Sequence, residues 1–596
     1  MENSIQNPRK EAEEKVELIK NWEDKKIRYR DVRPIMDLRD MFFSSAEIYT
    51  DNIAFYVKDS NLAKYRGITY GKAKKDVDAL GTALLELGLK DKRIAIIGEN
   101  RYEWAITYLA AVCADIIVVP LDKELPYDEI KYLIKEAEVD CVFCSNKYEK
   151  TFLEAMEFAD NQLSMLVNFD KEEHDEKVMS FKKTLDYGYE LLKSGNKTFY
   201  SVEIHRDIMK VLLFTSGTTG LAKGVMLSHN NISENLMVMG TLIHILPEDV
   251  FFSVLPIHHT YECTCGFLLP IYRGAAIAYC EGLKYIVKNL EEVKPTVFLG
   301  VPLIFESIYK KIWAQAKKSG SEKKLRNVLK LNEKTKKFGL DLAPLLLKKV
   351  TSVFGGRMRL MIAGGAAIDP EVLKGLRAFG ISAMQGYGLT ECSPIVAVNP
   401  DFDPRDDSAG YPPPLVEIKI SNPNEDGIGE IIAKGNNIML GYYKNQKSTD
   451  EVIRDGWFYT GDLGYLDGEG YVHITGRKKN VIITKNGKNV FPEELELYAG
   501  KIAFVEECMA WAKEGHDGED VIINLSIKPK YEELNTAYPD GISDEEIYKL
   551  FWSEVDKING DLPFYKRIKK IDIRKEEFEK TTGKKIKRFS QANKKA

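Results

Sequence analysis

At 596 residues the chain is too long for a single hydrophobic core, so two or more domains are expected. Hydrophobic residues at 44% and charged residues at 29% fit an ordinary globular enzyme or binding protein. A formal net charge of -5 lacks the basic footprint of a nucleic-acid binder, so no nucleic-acid partner is expected.

The first twenty residues carry acids throughout and lack the apolar core of a signal peptide. Val77, Leu80, Leu84 and Leu87 recur at helical spacing, and Gly88 closes that helix. A strand at 93–97 follows, then an apolar helix from Trp104, a strand at 116–119 and a helix carrying Ile130, Leu133 and Ile134. The apolar stretch 105–121 is interrupted by Asp115 and Pro120, short of the roughly 20 residues a spanning helix needs. Cys141 and Cys144 sit in a strand-like run at 139–145. With no second Cys pair nearby, they read as strand packing rather than a zinc or redox site. Eight scattered cysteines suit a reducing compartment, so a cytoplasmic location is expected. The alternation of strands and helices predicts an α/β fold, with parallel-type sheets covered by helices.

Further on, 310–349 carries 13 Lys or Arg against three acids, with apolar residues at helical spacing. It predicts a basic helical insertion around 310–350 with two readings: a solvated helix face, or peripheral contact with an anionic membrane at its inner face. Residues 359–363 read as a strand. Asp369 and Pro370 cap and start a helix burying Val372, Leu373, Leu376 and Phe379, ended by Gly380. From about residue 476 short strands and helices predict a small α+β domain. The expected division is therefore 1–475 and 476–596.

Three strings carry chemistry. At 211–224, VLLFTSGTTGLAKG, an apolar strand runs into a loop of small hydroxylated residues and glycines. Glycines let backbone N–H groups converge on phosphate oxygens; Thr215, Ser216, Thr218 and Thr219 add hydroxyls, and Lys223 adds charge. It is not the mononucleotide P-loop, because no Ser or Thr follows the Lys. At 385–391, QGYGLTE, glycines bracket Tyr387, leaving its ring to stack on a flat base. Thr390 and Glu391 then present a hydroxyl and a carboxylate suited to Mg²⁺ beside phosphates. At 459–462, YTGD, Asp462 can accept both ribose hydroxyls, and Arg477 can do the complementary work on ribose or phosphate.

Together with IMLGYY at 438–443 and DGWFYTGDLGYLDGEGYVHITGRKKNVIITKNGKNVFPEELE at 455–496, these strings resemble the adenylate-forming superfamily. Within it the chain is most similar to bacterial long-chain fatty-acid CoA ligases, over about residues 39–588. The resemblance implies an AMP-binding N-terminal domain and a small mobile C-terminal domain. It also implies activation of a fatty acid by ATP with Mg²⁺, then transfer to coenzyme A. By resemblance, the loop 215–223 (Thr215, Ser216, Gly217, Thr218, Thr219, Gly220, Lys223) holds the β- and γ-phosphates. Thr215 and Glu391 are the metal-side residues; Gly365, Ala366, Gln385, Gly386 and Tyr387 belong to the nucleotide site, with Gly365, Ala366 and Tyr387 framing adenine. Thr390 contacts the α-phosphate and Asp462 and Arg477 the ribose. Lys479 is the hinge, and Gly487 lies on the CoA side.

Two departures stand out. The terminal catalytic Lys usually follows T-x-x-G-K-[IL]-x-R, but here 580–588 reads KTTGKKIKR, with an extra Lys. Lys585 is favoured over Lys584, because Ile586 should anchor the strand that aims it. His258, His259 and Tyr261 stand where the family borders its acyl pocket, and no nearby Asp suits an amino-acid ammonium. The rivals are a carrier-protein or aromatic-acid ligase of the same superfamily, and a non-catalytic nucleotide binder.

Overall fold

The computed structural model describes residues 7–22, 29–59, 64–157, 162–215, 222–336, 338, 340, 342, 346–484, 488–513, 521–580, 585–590 and 592–594. The chain forms two compact units. One comprises Met1–Ile418, Ala433–Phe458 and Gly468–Val472; the other comprises Lys419–Ile432, Tyr459–Asp467 and His473–Ala596.

In chain order the strands begin β1 (Ile53–Asp59), β2 (Lys64–Thr69), β3 (Arg93–Ile97), β4 (Ile117–Pro120), β5 (Cys141–Cys144), β6 (Met165–Asn168), β7 (Met179–Ser180), β8 (Val211–Thr215) and β9 (Lys223–Leu227). They continue with β10 (Val250–Ser253), β11 (Ala276–Tyr279), β12 (Val297–Gly300), β13 (Leu360–Ala363), β14 (Ser382–Gly388), β15 (Ile395–Val398), β16 (Glu417–Ser421), β17 (Gly429–Lys434) and β18 (Gly441–Tyr442). The first unit holds two eight-stranded sheets, ordered β15-β14-β13-β12-β10-β11-β1-β2 and β18-β9-β8-β4-β3-β5-β6-β7. Their interiors are parallel, and antiparallel pairs occur only toward the edges: β1/β2, β14/β15, β8/β9 and β9/β18.

The expected alternation is what the structure shows. The helix Tyr70–Glu86 is capped by the Thr69 side chain, buries Val77, Leu80 and Leu84, and is followed by Gly88 at φ +77°. The stretch that falls short of a membrane span divides into the buried helix Tyr102–Cys113 and the strand β4. Among the described residues no helix is long and apolar enough to cross a membrane. Cys141 and Cys144 lie fully buried on β5, and all eight cysteines are free thiols. Asp369 caps the helix Pro370–Ala378. In the basic segment, Pro302–Lys318, Glu322–Lys336 and Lys348–Thr351 are helical, while Phe338, Leu340 and Leu342 are not; Leu325 packs into the core around Phe298, Phe305 and Leu376. At the foot of β4 and β8, buried Lys210 donates to buried Asp115 at 2.7 Å, and Asp115 also meets the His205 ring at 2.7 Å.

The remaining strands are β19 (Ile453–Arg454), β20 (Trp457–Leu466), β21 (Val472–Arg477), β22 (Ile482–Ile483), β23 (Asn489–Val490), β24 (Val505–Lys513), β25 (Ile522–Pro529) and β26 (Lys570–Ile573). In the second unit β20 pairs with β21, β22 with β23, and β24, β25 and β26 form a three-stranded sheet. Helices Pro492–Ala499 and Asp544–Asp561 pack on that sheet over a core of Leu495, Leu525, Phe551, Val555 and Ile571.

Candidate active site

The antiparallel edges of the two large sheets carry the sequence motifs. The β8/β9 hairpin sets Thr215 opposite Lys223, and the Thr215 hydroxyl donates to the Lys223 carbonyl at 3.4 Å. Ser216, Gly217, Thr218, Thr219 and Gly220, which join the two, lie outside the described residues. On the other sheet, β14 leads into a single turn at Thr390–Cys392. Gly388 is required at this bend, because an added Cβ would lie 2.2 Å from the Pro394 carbonyl oxygen.

A segment that the motif reading left without a role stitches the two edges together. The Met439 N–H donates to the Glu391 carbonyl and Leu440 N–H to that of Met226 on β9. Asn437 donates to the carbonyls of Cys392 and Ile395. Tyr442, on β18 beside Val225, then points its hydroxyl at Glu391 Oε1, 2.8 Å away, and its ring lies 4.8 Å from the Lys223 ammonium. Burial and the Glu391 charge both push the Tyr442 phenol well up, so it remains a proton donor. The predicted phosphate lysine and metal-side carboxylate are thus joined through one tyrosine ring. Thr390 meets Thr260 hydroxyl to hydroxyl at 3.1 Å.

Thr260 follows the two histidines. Asn100 accepts from Ile257 N–H and donates to the Leu255 carbonyl and the Ser253 hydroxyl, fixing the loop that carries them. His258 is buried, with Nε2 3.6 Å from Asp122 Oδ2, and its ring lies 4.2 Å from that of exposed His259. A π-helical turn, Tyr261–Leu268, begins immediately afterwards. Half-buried Tyr261 donates to the Ile362 carbonyl, and its ring closes over Gly364, where an added Cβ would be 2.7 Å away. Glu262 accepts from Ser253 at 2.5 Å, and burial pushes its carboxyl up to about 8. Gly365 has φ +81° and an open flank, with Ala366 beside it. Gln385, Gly386 and Tyr387 lie on β14; the Gln385 amide donates to the Asp406 and Ser408 carbonyls, and Tyr387 is 7% exposed.

In the second unit, Arg477 at the end of β21 meets buried Asp462 on β20 at 2.6 Å. Desolvation first, then Arg477, holds the Lys585 ammonium below its ordinary range, with Asp462 opposing. Lys479 is lowered in the same way, by desolvation, then Arg477, with Lys585 adding to it. Four residues singled out from separate strings therefore share one field. Ile586 bridges to Lys580, and Arg588 pairs with Glu496, which fixes the segment that follows Lys585. Gly487 and Lys584 lie outside the described residues. Sequence reading passed over Tyr442, Thr260, Asn437 and Glu262. Only Tyr442 had a signal, its place in the string at 438–443.

The solved structure of the anthranilate CoA ligase AuaEII with anthranoyl-AMP matches at 19% identity with a TM-score of 0.74, covering 94% of this chain and 96% of that one. ATP-bound MatB from Rhodopseudomonas palustris matches at 22% with a TM-score of 0.71, covering 92% and 97%. Both likenesses show a shared fold. Long chain acyl-CoA synthetase 2 of Arabidopsis thaliana is 31% identical over 471 residues, 74% of this chain and 70% of that protein. Fatty acyl-CoA synthetase A of Dictyostelium discoideum is 28% identical over 560 residues, 87% and 82%. The AMP-binding enzyme family matches over residues 42–443, two-thirds of the length, and with those relatives beside it the chain belongs to that family.

Proposed function

We propose that the protein is an acid-thiol ligase that activates a medium- or long-chain fatty acid as its acyl-adenylate, releases pyrophosphate, and passes the acyl group to coenzyme A. The observation that carries this reading is the convergence of Lys223, Tyr442, Glu391 and Thr390 from two sheet edges that are far apart in sequence. A carboxylate is a poor acyl donor, because its leaving group would be oxide. Attack of its oxygen on the α-phosphorus of ATP forms a mixed anhydride, and the bond to pyrophosphate breaks. Catalysis of such a step is positioning and charge stabilisation. Thr390 is set to donate to the α-phosphate, and Lys223 to neutralise the outer phosphates. Lys585 supplies positive charge as pyrophosphate leaves, with Asp462 and Arg477 on the ribose. The CoA thiolate then attacks the carbonyl carbon and AMP departs with the bonding electrons, so no covalent enzyme intermediate is needed.

Mg²⁺ fits the donor set here, since a hard cation takes oxygen ligands and Glu391 and Thr215 offer a carboxylate and a hydroxyl on neighbouring edges. When bound, it would neutralise phosphate charge. In this reading 1–475 is the AMP-binding domain, and 476–596 swings about Lys479 so that Gly487 can face the CoA side. His258, His259 and Tyr261 border the acyl pocket. The location we propose is the cytoplasm, with peripheral contact at the inner membrane face.

Pyrophosphate release measured with a panel of acids, with and without CoA, tests the reading. Release that depends on fatty acids, followed by CoA-dependent thioester, is expected. Turnover of an aromatic acid alone, or thioester on a carrier protein but not on CoA, would replace it.

A further inference from the structure

Two loops of the first unit leave the carboxyl ends of strands in different sheets and bring three ligand-type side chains together. β4 ends at Pro120 and the chain turns through Asp122; β10 ends at Ser253 and leads on to His258 and His259. Among the described residues these three form the one group of His, Cys, Asp or Glu side chains whose ligand atoms all lie within 4.8 Å of one another.

Both loops are held by bonds that do not involve the cluster. The Glu124 N–H donates to Asp122 Oδ1 at 2.8 Å, which leaves Oδ2 as the oxygen that approaches His258. The Tyr148 hydroxyl donates to the Lys123 carbonyl at 2.7 Å and pins the same turn. On the other side the His259 N–H donates to the Pro256 carbonyl at 3.0 Å, and Asn100 holds Ile257. The ligand atoms are thus set by backbone that is already fixed.

Folding alone does not account for His258. It is 8% exposed, and among the described residues its Nε2 has no hydrogen-bond partner. Its separation of 3.6 Å from Asp122 Oδ2 exceeds a hydrogen bond, which spans about 2.7–3.2 Å. It matches the edge of a tetrahedron around zinc, where ligand atoms roughly 2.0–2.2 Å from the ion stand roughly 3.3–3.6 Å apart. His259, exposed and 4.2 Å away ring to ring, offers the third ligand and a path of entry from solvent.

We propose that Asp122, His258 and His259 bind a divalent transition-metal ion of the zinc class, and that the bound ion restrains the loop that bears Thr260. Two imidazoles and a carboxylate suit zinc, whereas Mg²⁺ and Ca²⁺ take oxygen ligands, so this donor set differs in kind from that at Glu391. Three protein ligands leave a fourth position for water. Thr260 follows His259 directly, and its hydroxyl meets that of Thr390 at 3.1 Å. An ion that fixes the histidines therefore fixes the backbone that leads to Thr390 and acts as a brake on adenylation. Metal binding stands on these side chains alone; the brake rests on the ligase reading.

The test titrates the full chain, in saturating Mg²⁺, with Zn²⁺ against a chromophoric chelator and with Co²⁺ followed by its visible spectrum. Wild type should take up one Zn²⁺ per chain at this site, raise its unfolding temperature, and give a tetrahedral Co²⁺ spectrum without thiolate charge transfer. Asp122→Asn and His259→Gln should each weaken binding roughly 100-fold or more, since loss of even an outer-shell partner costs about 10–100-fold. Zn²⁺ should lower fatty-acid-dependent pyrophosphate release by wild type over the range in which it binds. Asp122→Asn should keep the metal-free rate and lose this sensitivity. Equal Zn²⁺ affinity in wild type and both variants, or a cobalt spectrum dominated by thiolate, would overturn the site. Equal Zn²⁺ inhibition of wild type and Asp122→Asn, or binding without inhibition, would overturn the brake. Absence of pyrophosphate release by metal-free wild type would count against the ligase reading alone.

Discussion

Replacing Tyr442 by Phe removes one oxygen from the centre of the candidate site and little else. The ring remains, so its contact with Lys223 at 4.8 Å survives. The backbone is held independently, by the β18 pairing to Val225 and by the Thr449 hydroxyl accepting from Tyr442 N–H at 2.8 Å. What is lost is a hydrogen bond of 2.8 Å to a carboxylate, Glu391. Bonds of that kind contribute about 1.5–3 kcal/mol, and each 1.36 kcal/mol is tenfold in rate. If the bond orients Glu391 for the reacting phosphates, kcat/KM for adenylate formation should fall roughly 10- to 150-fold. The assay is pyrophosphate release without CoA, with a Mg²⁺ titration, and with CoA transfer from ready-made acyl-adenylate as the control. The Mg²⁺ requirement should rise, and thermal unfolding should stay close to wild type. Unchanged adenylation with an unchanged Mg²⁺ dependence would show that Tyr442 does not set Glu391, and the convergence at the sheet edges would lose its catalytic meaning.

Lys585→Ala should abolish adenylate formation yet largely spare CoA transfer from supplied acyl-adenylate, with Lys584→Ala mild in both half-reactions. Lys479→Pro should do the reverse by locking the hinge dihedral; a defect that follows Lys584 instead would reassign the terminal lysine. Because Lys585 sits below the ordinary lysine value, its charge is lost as pH rises through that lowered value, and adenylation should fade at less alkaline pH than a free lysine would give. Its contribution to stability has the opposite sense: the penalty on the charged form is present below the lowered value and is relieved as pH rises toward 10.5. Asp462→Asn removes the group that holds the value up, so the alkaline limb of the pH–rate profile should move to lower pH; a limb that stays in place would refute the coupling. Lys210→Met leaves buried Asp115 with only the His205 partner and should cost about 3 kcal/mol in chemical denaturation. A loss below about 1 kcal/mol would mean that water or His205 compensates.

The turn at Glu391 and the strand–helix alternation were legible in the sequence because each is local. A parallel strand buried on both faces writes a continuous apolar run, and a tight bend writes the glycine it needs. The preference for Lys585 over Lys584 rests on Ile586, whose bridge to Lys580 is itself a short-range feature. Tyr442 and Thr260 were not legible as site residues. Tyr442 reaches Glu391 across 51 residues and Thr260 meets Thr390 across 130, and neither spacing has a period that a chain can display. Those meetings depend on which strand lies at which sheet edge, and on the segment at 436–443 that bonds one edge to the other. The coupling of Asp462, Arg477, Lys479 and Lys585 is of the same kind, since the shared field arises only once β20, β21 and the segment carrying Lys585 are packed together. The sequence by itself determined which chemical groups are available and the local backbone that presents them. The tertiary structure decided which of them act on one another, because hydrogen bonds and charge interactions depend on distance in space, and that distance is set by strand order rather than by position along the chain.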